Sequence, residues 1–302
     1  MKIGFLIIMF ILGAAFGSFL CCQARRLRLK EEKGKRLGSR SVCNSCNRKL
    51  NWYENLPIIS WLILRGRCRT CKKKIGLLEL LSELGVAIAF LLLTVVFTSD
   101  SLNPIYSTTP VDPALAPFVG PSLASPNLLS FDPSNLTSVL TLLTFIATLL
   151  LTLSLAFLAI YDGAYGELPV KALTFSGICA ILTIILKQWS LFSIFGFSSE
   201  LIVEPLLAAL LFGGLYYVLY KGSKGKWVGD GDWILAAIIG LALGSPWLAL
   251  IALFLSNLSA TLIMYPVVRK NKNHKIYFGP FLVLAFVVTY AFADFFNMYF
   301  VL

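Results

Sequence analysis

The stretch SVLTLLTFIATLLLTLSLAFLAIYDGAYGELPVK, residues 138–171, decides the fold. Residues 138–160 carry no charge, a run as long as the ~17–25 residues that cross a bilayer as a helix. The first carboxylate, Asp162, stands at the mouth of that run, and Gly163, Gly166 and Pro169 follow it as turn residues. A carboxylate at a membrane boundary is costly to keep and reads as functional by default.

Working outward, comparable apolar runs lie near 3–24, 77–97, 172–187, 201–220, 246–267 and 278–301. A shorter one lies near 232–243, and Gly244-Ser245-Pro246 can turn it tightly into the next. The pattern predicts an all-α, polytopic membrane protein of about eight transmembrane helices. Hydrophobic residues make up 58% of the chain and charged residues 14%, against ~25% charge in soluble domains. A soluble globular enzyme is excluded.

Of the 26 Lys and Arg residues, 24 fall in the segments 25–74, 161–171, 221–226 and 269–275. Eight spans put all four segments on one side, and positive charge marks that side as cytoplasmic. The net charge of +11 is thereby a topological signal. Nucleic acid is not an expected partner, since no aromatic-interleaved basic domain is present. The single histidine, His274, sits in a Lys-rich loop, which argues against a Ser-His-Asp centre.

The spans divide the chain. Residues 1–24 form a first span, 25–76 a cytoplasmic loop domain, 77–97 a second span, 98–137 an extracytoplasmic loop, and 138–302 a six-span core. The 98–137 segment holds seven of the thirteen prolines and no Lys or Arg, so it reads as extended and partly disordered. Within the spans, Glu200, Glu204 and Asp294 read as interfacially solvated acids, and Cys21, Cys22 and Cys179 as small apolar fillers.

The loop domain carries Cys43-Asn44-Ser45-Cys46 and Cys68-Arg69-Thr70-Cys71, two CxxC pairs. Four thiolates in two such knuckles suit tetrahedral Zn²⁺, and the reducing side of the membrane disfavours disulfides. Cys43, Cys46, Cys68 and Cys71 are therefore expected to hold one structural Zn²⁺. Between the knuckles, residues 50–64 are too apolar for a free loop. They are expected to lie against the headgroup interface or to pack on the knuckles.

The second aspartate stands in Gly229-Asp230-Gly231-Asp232, at the start of the 232–243 run. Span polarity puts Asp162 and Asp232 at the same, cytoplasmic face. Two carboxylates brought together can share a proton and activate a water between them. Asp232 at a helix N-terminus is favoured as the anion by the helix dipole. Asp230 is a competing acid two residues away.

These motifs together resemble the type IV prepilin peptidase family of membrane aspartyl proteases. Gly17-Ser18-Phe19-Leu20, the run from Ser39 through Trp52-Tyr53-Glu54-Asn55-Leu56-Pro57 to Arg65-Gly66-Arg67-Cys68, Asp162 with Leu168-Pro169, Gly229-Asp230-Gly231-Asp232, and Ile276-Tyr277-Phe278-Gly279-Pro280-Phe281 each resemble a family motif. The resemblance covers the chain outside 98–137. It departs at Trp233-Ile234-Leu235, where the family usually has Val-Lys-Leu, and near the second span, where a Tyr-Pro before the family's glutamate is missing.

The resemblance implies an endopeptidase of the plasma (inner) membrane with Asp162 and Asp232 as the catalytic pair at the cytoplasmic face. Its expected substrate is a prepilin or pseudopilin, with a basic leader, a Gly before the cut and a hydrophobic helix after it. It also implies a second activity, N-methylation of the new N-terminus with S-adenosylmethionine. A gapless match assigns the family's glutamate to Glu83, and a four-residue deletion would assign it to Glu79. Two other readings compete: a different Gly-x-Gly-Asp intramembrane protease, with a deeper dyad and no zinc loop, and a zinc-stapled scaffold or transporter, with the two aspartates far apart or paired with lysines.

Overall fold

The computed structural model describes residues 2–33, 41–43, 45–46, 48–98, 136–195, 200–225, 228–270 and 277–300. The Pro-rich 98–137 segment falls almost wholly outside these residues, as does His274. Among the described residues the chain is helical, with no strand beyond isolated bridges. The order is α1 (Lys2–Lys33), a 3₁₀ turn (Trp52–Asn55), α2 (Ile59–Ile63), α3 (Leu77–Thr98), α4 (Leu136–Tyr165), α5 (Val170–Phe195), α6 (Glu200–Gly222), α7 (Asp232–Leu243), α8 (Pro246–Lys270), α9 (Gly279–Ala291) and α10 (Ala293–Phe300).

Six of these, α1, α3, α4, α5, α6 and α8, are long and apolar enough to cross a membrane, and α7 and α9 are shorter apolar helices. The chain is an integral membrane protein. The first helix outlasts its apolar run: α1 continues past residue 24 through the Arg-rich segment to Lys33. The last run is divided at Phe292, whose backbone leaves the helical region (φ −109°, ψ 21°). Phe292 still donates to Val288 and accepts from Phe296, so this is a kink between α9 and α10 rather than a break.

Helix α7 is the central element. Its 12 residues, at ~1.5 Å each, reach ~18 Å, little more than half of a ~30 Å hydrocarbon layer. Leu235, Ile239 and Leu243 on it are fully buried among Phe212, Leu248, Ala252, Leu282 and Phe286 of the same core. A short helix is tolerated at membrane depth when protein surrounds it. Gly244, in the left-handed region at φ 73°, ends α7, and Ser245-Pro246 starts α8.

Helices α1 and α3 meet backbone to backbone. A Cβ at Gly13 would lie 2.8 Å from Ala87 Cα, and one at Gly17 would lie 2.4 Å from the Ser82 carbonyl oxygen. Two glycines four apart give the flat helix face that close packing in lipid requires. This contact holds the chain on either side of the cysteine loop together.

At the opposite end, Lys187 on α5 interacts electrostatically with Asp294 on α10 and Glu204 on α6. The two acids, read from sequence as interfacially solvated, thus both act on one lysine.

Candidate functional site: two carboxylates and a four-thiol cluster at one end of the bundle

Asp162 lies in the last turn of α4 and Asp232 is the first residue of α7, and each is only 6% exposed. The Gly279 backbone N–H, at the start of α9, donates to Asp162 Oδ2 at 2.9 Å. The Gly229 N–H donates to Asp232 Oδ2 at 2.9 Å. Gly231, not Asp232, occupies the cap position of α7, so the Asp232 carboxylate is not used to cap its own helix. Among the described residues neither carboxylate is hydrogen-bonded to a lysine; each holds one amide. The charge on Asp232 acts on Asp162, so the two groups share one electrostatic environment.

The motifs around them interlock through missing side chains. A Cβ at Gly231 would lie 2.8 Å from Leu168 Cδ1, and one at Gly279 would lie 2.8 Å from Asp162 Oδ2. Gly166, at φ 70°, packs under the Tyr277 ring, and its N–H bonds the Asp162 carbonyl at 2.7 Å. The Leu168 turn thus seats the Gly229–Asp232 turn, while the Tyr277–Gly279 turn seats the Asp162 turn. Asp230 points elsewhere: it is exposed, and the Tyr220 hydroxyl donates to it.

One neighbour had no sequence signal. Tyr216 on α6 is 2% exposed, packs its ring 5.5 Å from that of Phe278, and interacts electrostatically with Asp232. Its hydroxyl accepts from Asn257 Nδ2 at 3.1 Å and lies 3.4 Å from Ser256 Oγ, both on α8. In sequence Tyr216 is one aromatic in an apolar run, and only the fold brings it within the field of Asp232.

The cysteines form the second centre. The two knuckles are built alike: Val42 bridges Lys49 and Arg67 bridges Lys74, and the N–H of Cys43 and of Cys68 each bonds the carbonyl five residues on, both at 2.9 Å. The Sγ atoms of Cys43, Cys46, Cys68 and Cys71 all lie within 4.8 Å of one another. Cys43 and Cys71 are 3.8 Å apart, the tetrahedron edge that metal–sulfur bonds of about 2.3 Å produce. All seven cysteines are free thiols. The donor set therefore fits a closed zinc site.

Backbone N–H groups of Cys71 and Thr70 bring the Cys68 thiol down to about 6. Those of Cys46 and Ser45 lower Cys43. Cys71 receives a lowering N–H bond from Lys73, but burial and its bonds with Cys68, Cys43 and Cys46 push it up to about 11. Amides aimed at sulfur are what a thiolate ligand needs. Beside them, Arg48 pairs with buried Glu54 at 2.6 Å and holds that carboxyl low, aided by the Asn51 N–H at 2.8 Å.

A cavity of ≈ 540 Å³ separates the cysteine loop from the bundle. Ser18, Arg25, Glu79 and Glu83 line it from α1 and α3, Trp61 from the loop, and Ala164 from α4. Glu83 accepts the Ile58 N–H at 2.6 Å and a bond from Ser18. Glu79 keeps one buried oxygen, Oε2, without a hydrogen bond. Both glutamates that the sequence left open are thus in one cavity. Ile160, Ala164 and Tyr165 line it too, while Asp162 does not, so the last turn of α4 stands between this cavity and the aspartates.

Comparison with known proteins converges on one family. The family described as Bacterial Peptidase A24 N-terminal domain matches residues 11–97. A prepilin leader peptidase/N-methyltransferase of Myxococcus xanthus is 40% identical over 86 residues, 28% of this chain and 25% of that protein. One of Vibrio cholerae is 37% identical over 82 residues, 27% of this chain and 32% of that protein. One of Aeromonas hydrophila is 29% identical over 255 residues, 82% of this chain and 69% of that protein. The match thus spans about a quarter to a third of the first two relatives. No solved structure matches.

Proposed function

The chain is a relative of the type IV prepilin peptidases, and from that premise we propose that it is a membrane aspartyl endopeptidase that removes the leader of prepilins or pseudopilins. The observation that carries the reading is the interlock of the two aspartate turns, which buries both carboxylates and gives each one amide. The scaffold or transporter reading expects the two aspartates far apart or paired with lysines, whereas among the described residues neither carboxylate bonds a lysine and the charge on Asp232 acts on Asp162. A cysteine loop between the first two spans sets the chain apart from other Gly-x-Gly-Asp intramembrane proteases.

In the proposed reaction Asp232, as the anion at the α7 N-terminus, takes a proton from water, and the hydroxide adds to the scissile carbonyl carbon. Protonated Asp162 gives its proton to the carbonyl oxygen. The resulting diol collapses as Asp162 takes a proton back and Asp232 protonates the leaving amine, which breaks the C–N bond. The Gly229 and Gly279 amides fix the two carboxylates and leave their other oxygens for water and substrate. The cut lies at the cytoplasmic face of the plasma (inner) membrane, where the basic loops gather, with the substrate's hydrophobic helix lying among the spans. Asp230, exposed and tied to Tyr220, is outside the pair.

Gly279→Ala tests the geometry without touching an acid. The new methyl meets Asp162 Oδ2, so the carboxylate must move. A displacement near 1 Å costs about 100-fold in rate. Cleavage of a prepilin-like peptide by the reconstituted variant is expected to fall by that order while the protein elutes as wild type. Unchanged cleavage would show that the amide–carboxylate contact is not used.

The cavity beside the cysteine loop suits the second activity. Its volume lies in the range of small-molecule sites, and the bare Glu79 oxygen would face a cationic ligand. S-adenosylmethionine, if bound there, would supply a methyl group on a sulfonium cation. Glu83 would fix the loop wall through Ile58, and Glu79 would face the charge. Glu83→Gln and Glu79→Gln are each expected to lower methylation of an already cleaved pilin at least tenfold while leaving cleavage within about twofold, since the α4 turn separates the centres. Asp232→Asn should do the reverse. If neither glutamate matters and no methyl group is transferred, the chain is a peptidase alone.

A further inference from the structure

Among the described residues, a hydrogen bond ties the loop between the knuckles to the membrane-spanning part. The Glu83 carboxylate accepts the Ile58 N–H, and Glu83 is the seventh residue of α3, ~9 Å along that helix from its first residue. Helix α3 is itself long and apolar enough to span. The chain at Ile58 therefore sits at the depth of a membrane boundary, not out in water. Ile58 holds a positive φ of 62°, unfavourable for a β-branched residue, and such strain persists only where the surroundings impose it.

From that fixed point α2 presents a bare apolar face. Ile59, Leu62 and Ile63 are 54%, 59% and 75% exposed. Along α3, Leu77, Leu81 and Leu84 are exposed as well, which is the expected state of a lipid-facing helix. Ile63, Leu64 and Cys68 line a concavity together with Arg65, Arg67, Lys72 and Arg69, the last of which also donates to the Tyr53 hydroxyl. Apolar side chains next to clustered cations form the pattern of an in-plane interfacial anchor over anionic headgroups.

We propose that α2 and the basic concavity behind it are a lipid-docking surface. Ile59, Leu62 and Ile63 enter the acyl boundary of the adjoining leaflet, and Arg65, Arg67, Arg69 and Lys72 hold the phosphates of anionic lipids. Docking presses the cysteine loop onto the membrane and fixes the outer wall of the Glu79–Glu83 cavity. The occupant is lipid because the Ile58–Glu83 bond sets this apolar surface at the depth of the first turns of α3, where Leu77, Leu81 and Leu84 are exposed, and because its charge is opposite to that of an anionic leaflet. The inference requires only that α1 and α3 span a bilayer. It is independent of the peptidase reading and can fail without it.

The test uses the full chain, reconstituted in vesicles of phosphatidylcholine alone or with a minority of phosphatidylglycerol. A photo-crosslinking residue, p-benzoylphenylalanine, replaces Ile63, with Leu81 as a lipid-facing reference and Ser45, exposed on the first knuckle, as a water-facing one. Irradiation and mass spectrometry are expected to give phospholipid adducts at 63 and 81 and none at 45. The yield at 63 should be severalfold higher with phosphatidylglycerol. Adding Arg65→Gln and Arg67→Gln should remove that preference without changing the yield at 81, which also reports that the variant is folded. Lipid adducts at 81 with none at 63 would overturn the proposal. So would adducts at 63 to a second copy of the chain or to an added hydrophobic-helix peptide. Loss of the phosphatidylglycerol preference on adding inorganic phosphate would reassign the concavity to a free anion and overturn it as well.

Discussion

Asp232→Asn is expected to abolish leader cleavage by the reconstituted chain, and Asp162→Asn to do the same, each by about 10⁴-fold, the upper range for losing an acid or base from a proton-transfer step. Asparagine keeps the size of the side chain and can still accept the Gly229 or Gly279 amide, so the turns stay seated. What it loses is the ability to take or give a proton. The two losses should not add, because one remaining carboxylate has no partner to complete the transfer. Asp230→Asn should leave cleavage within about twofold, since that carboxylate is exposed and bonded to Tyr220. The comparison is a cleavage assay on one prepilin-like peptide with all three variants. A dead Asp230→Asn beside a working Asp232→Asn would move the base to Asp230 and sink the proposed pair.

The second large effect concerns the thiols. Purified protein is expected to carry about one zinc per chain, and Cys68→Ser to carry none. Among its described residues the loop between α1 and α3 is otherwise held mainly by short-range bonds: turn hydrogen bonds and two isolated bridges, the Arg48–Glu54 pair, the bonds of Asn51 and Arg69 to the Tyr53 hydroxyl, and the Glu83–Ile58 bond. Structural zinc contributes on the order of 10 kcal/mol to small domains of this kind, so its loss should unfold the loop. Limited proteolysis between residues 41 and 76, rapid in Cys68→Ser or after chelation and slow otherwise, reads this directly. The bundle should survive, because Gly13 and Gly17 hold α1 on α3 without the loop. Metal-free protein with a protease-resistant loop would reject a structural role for the metal.

Much of this protein is written along the chain. Predominantly apolar runs of helix-spanning length point to an all-α membrane fold, because backbone polar groups in lipid must be satisfied within each helix. The grouping of Lys and Arg fixes which helix ends lie together. The paired CxxC spacing announces the four-thiol cluster, since a knuckle brings two sulfurs to one metal by local geometry alone. Asp162 and Asp232 are legible as candidates because each is an acid at the mouth of an apolar run.

What depends on contacts between distant segments was not legible. Only packing separates Asp232 from Asp230, because burial depends on which side of the turn meets Leu168 and α9. The Gly279 amide reaches Asp162 across 117 positions, and Tyr216 joins the site from another helix, with no local pattern to signal either. Glu79 and Glu83 stand one helical turn apart, and spacing alone cannot tell that Glu83 takes the Ile58 amide of the loop while Glu79 lies beside Gly76 and Arg25 with one oxygen left over. The same holds for Lys187, an isolated cation in an apolar run until the fold sets Asp294 and Glu204 beside it. Sequence determines which segments leave water, through local composition and period. Tertiary structure decides which polar groups then meet, because in a dry interior each must find its partner across space.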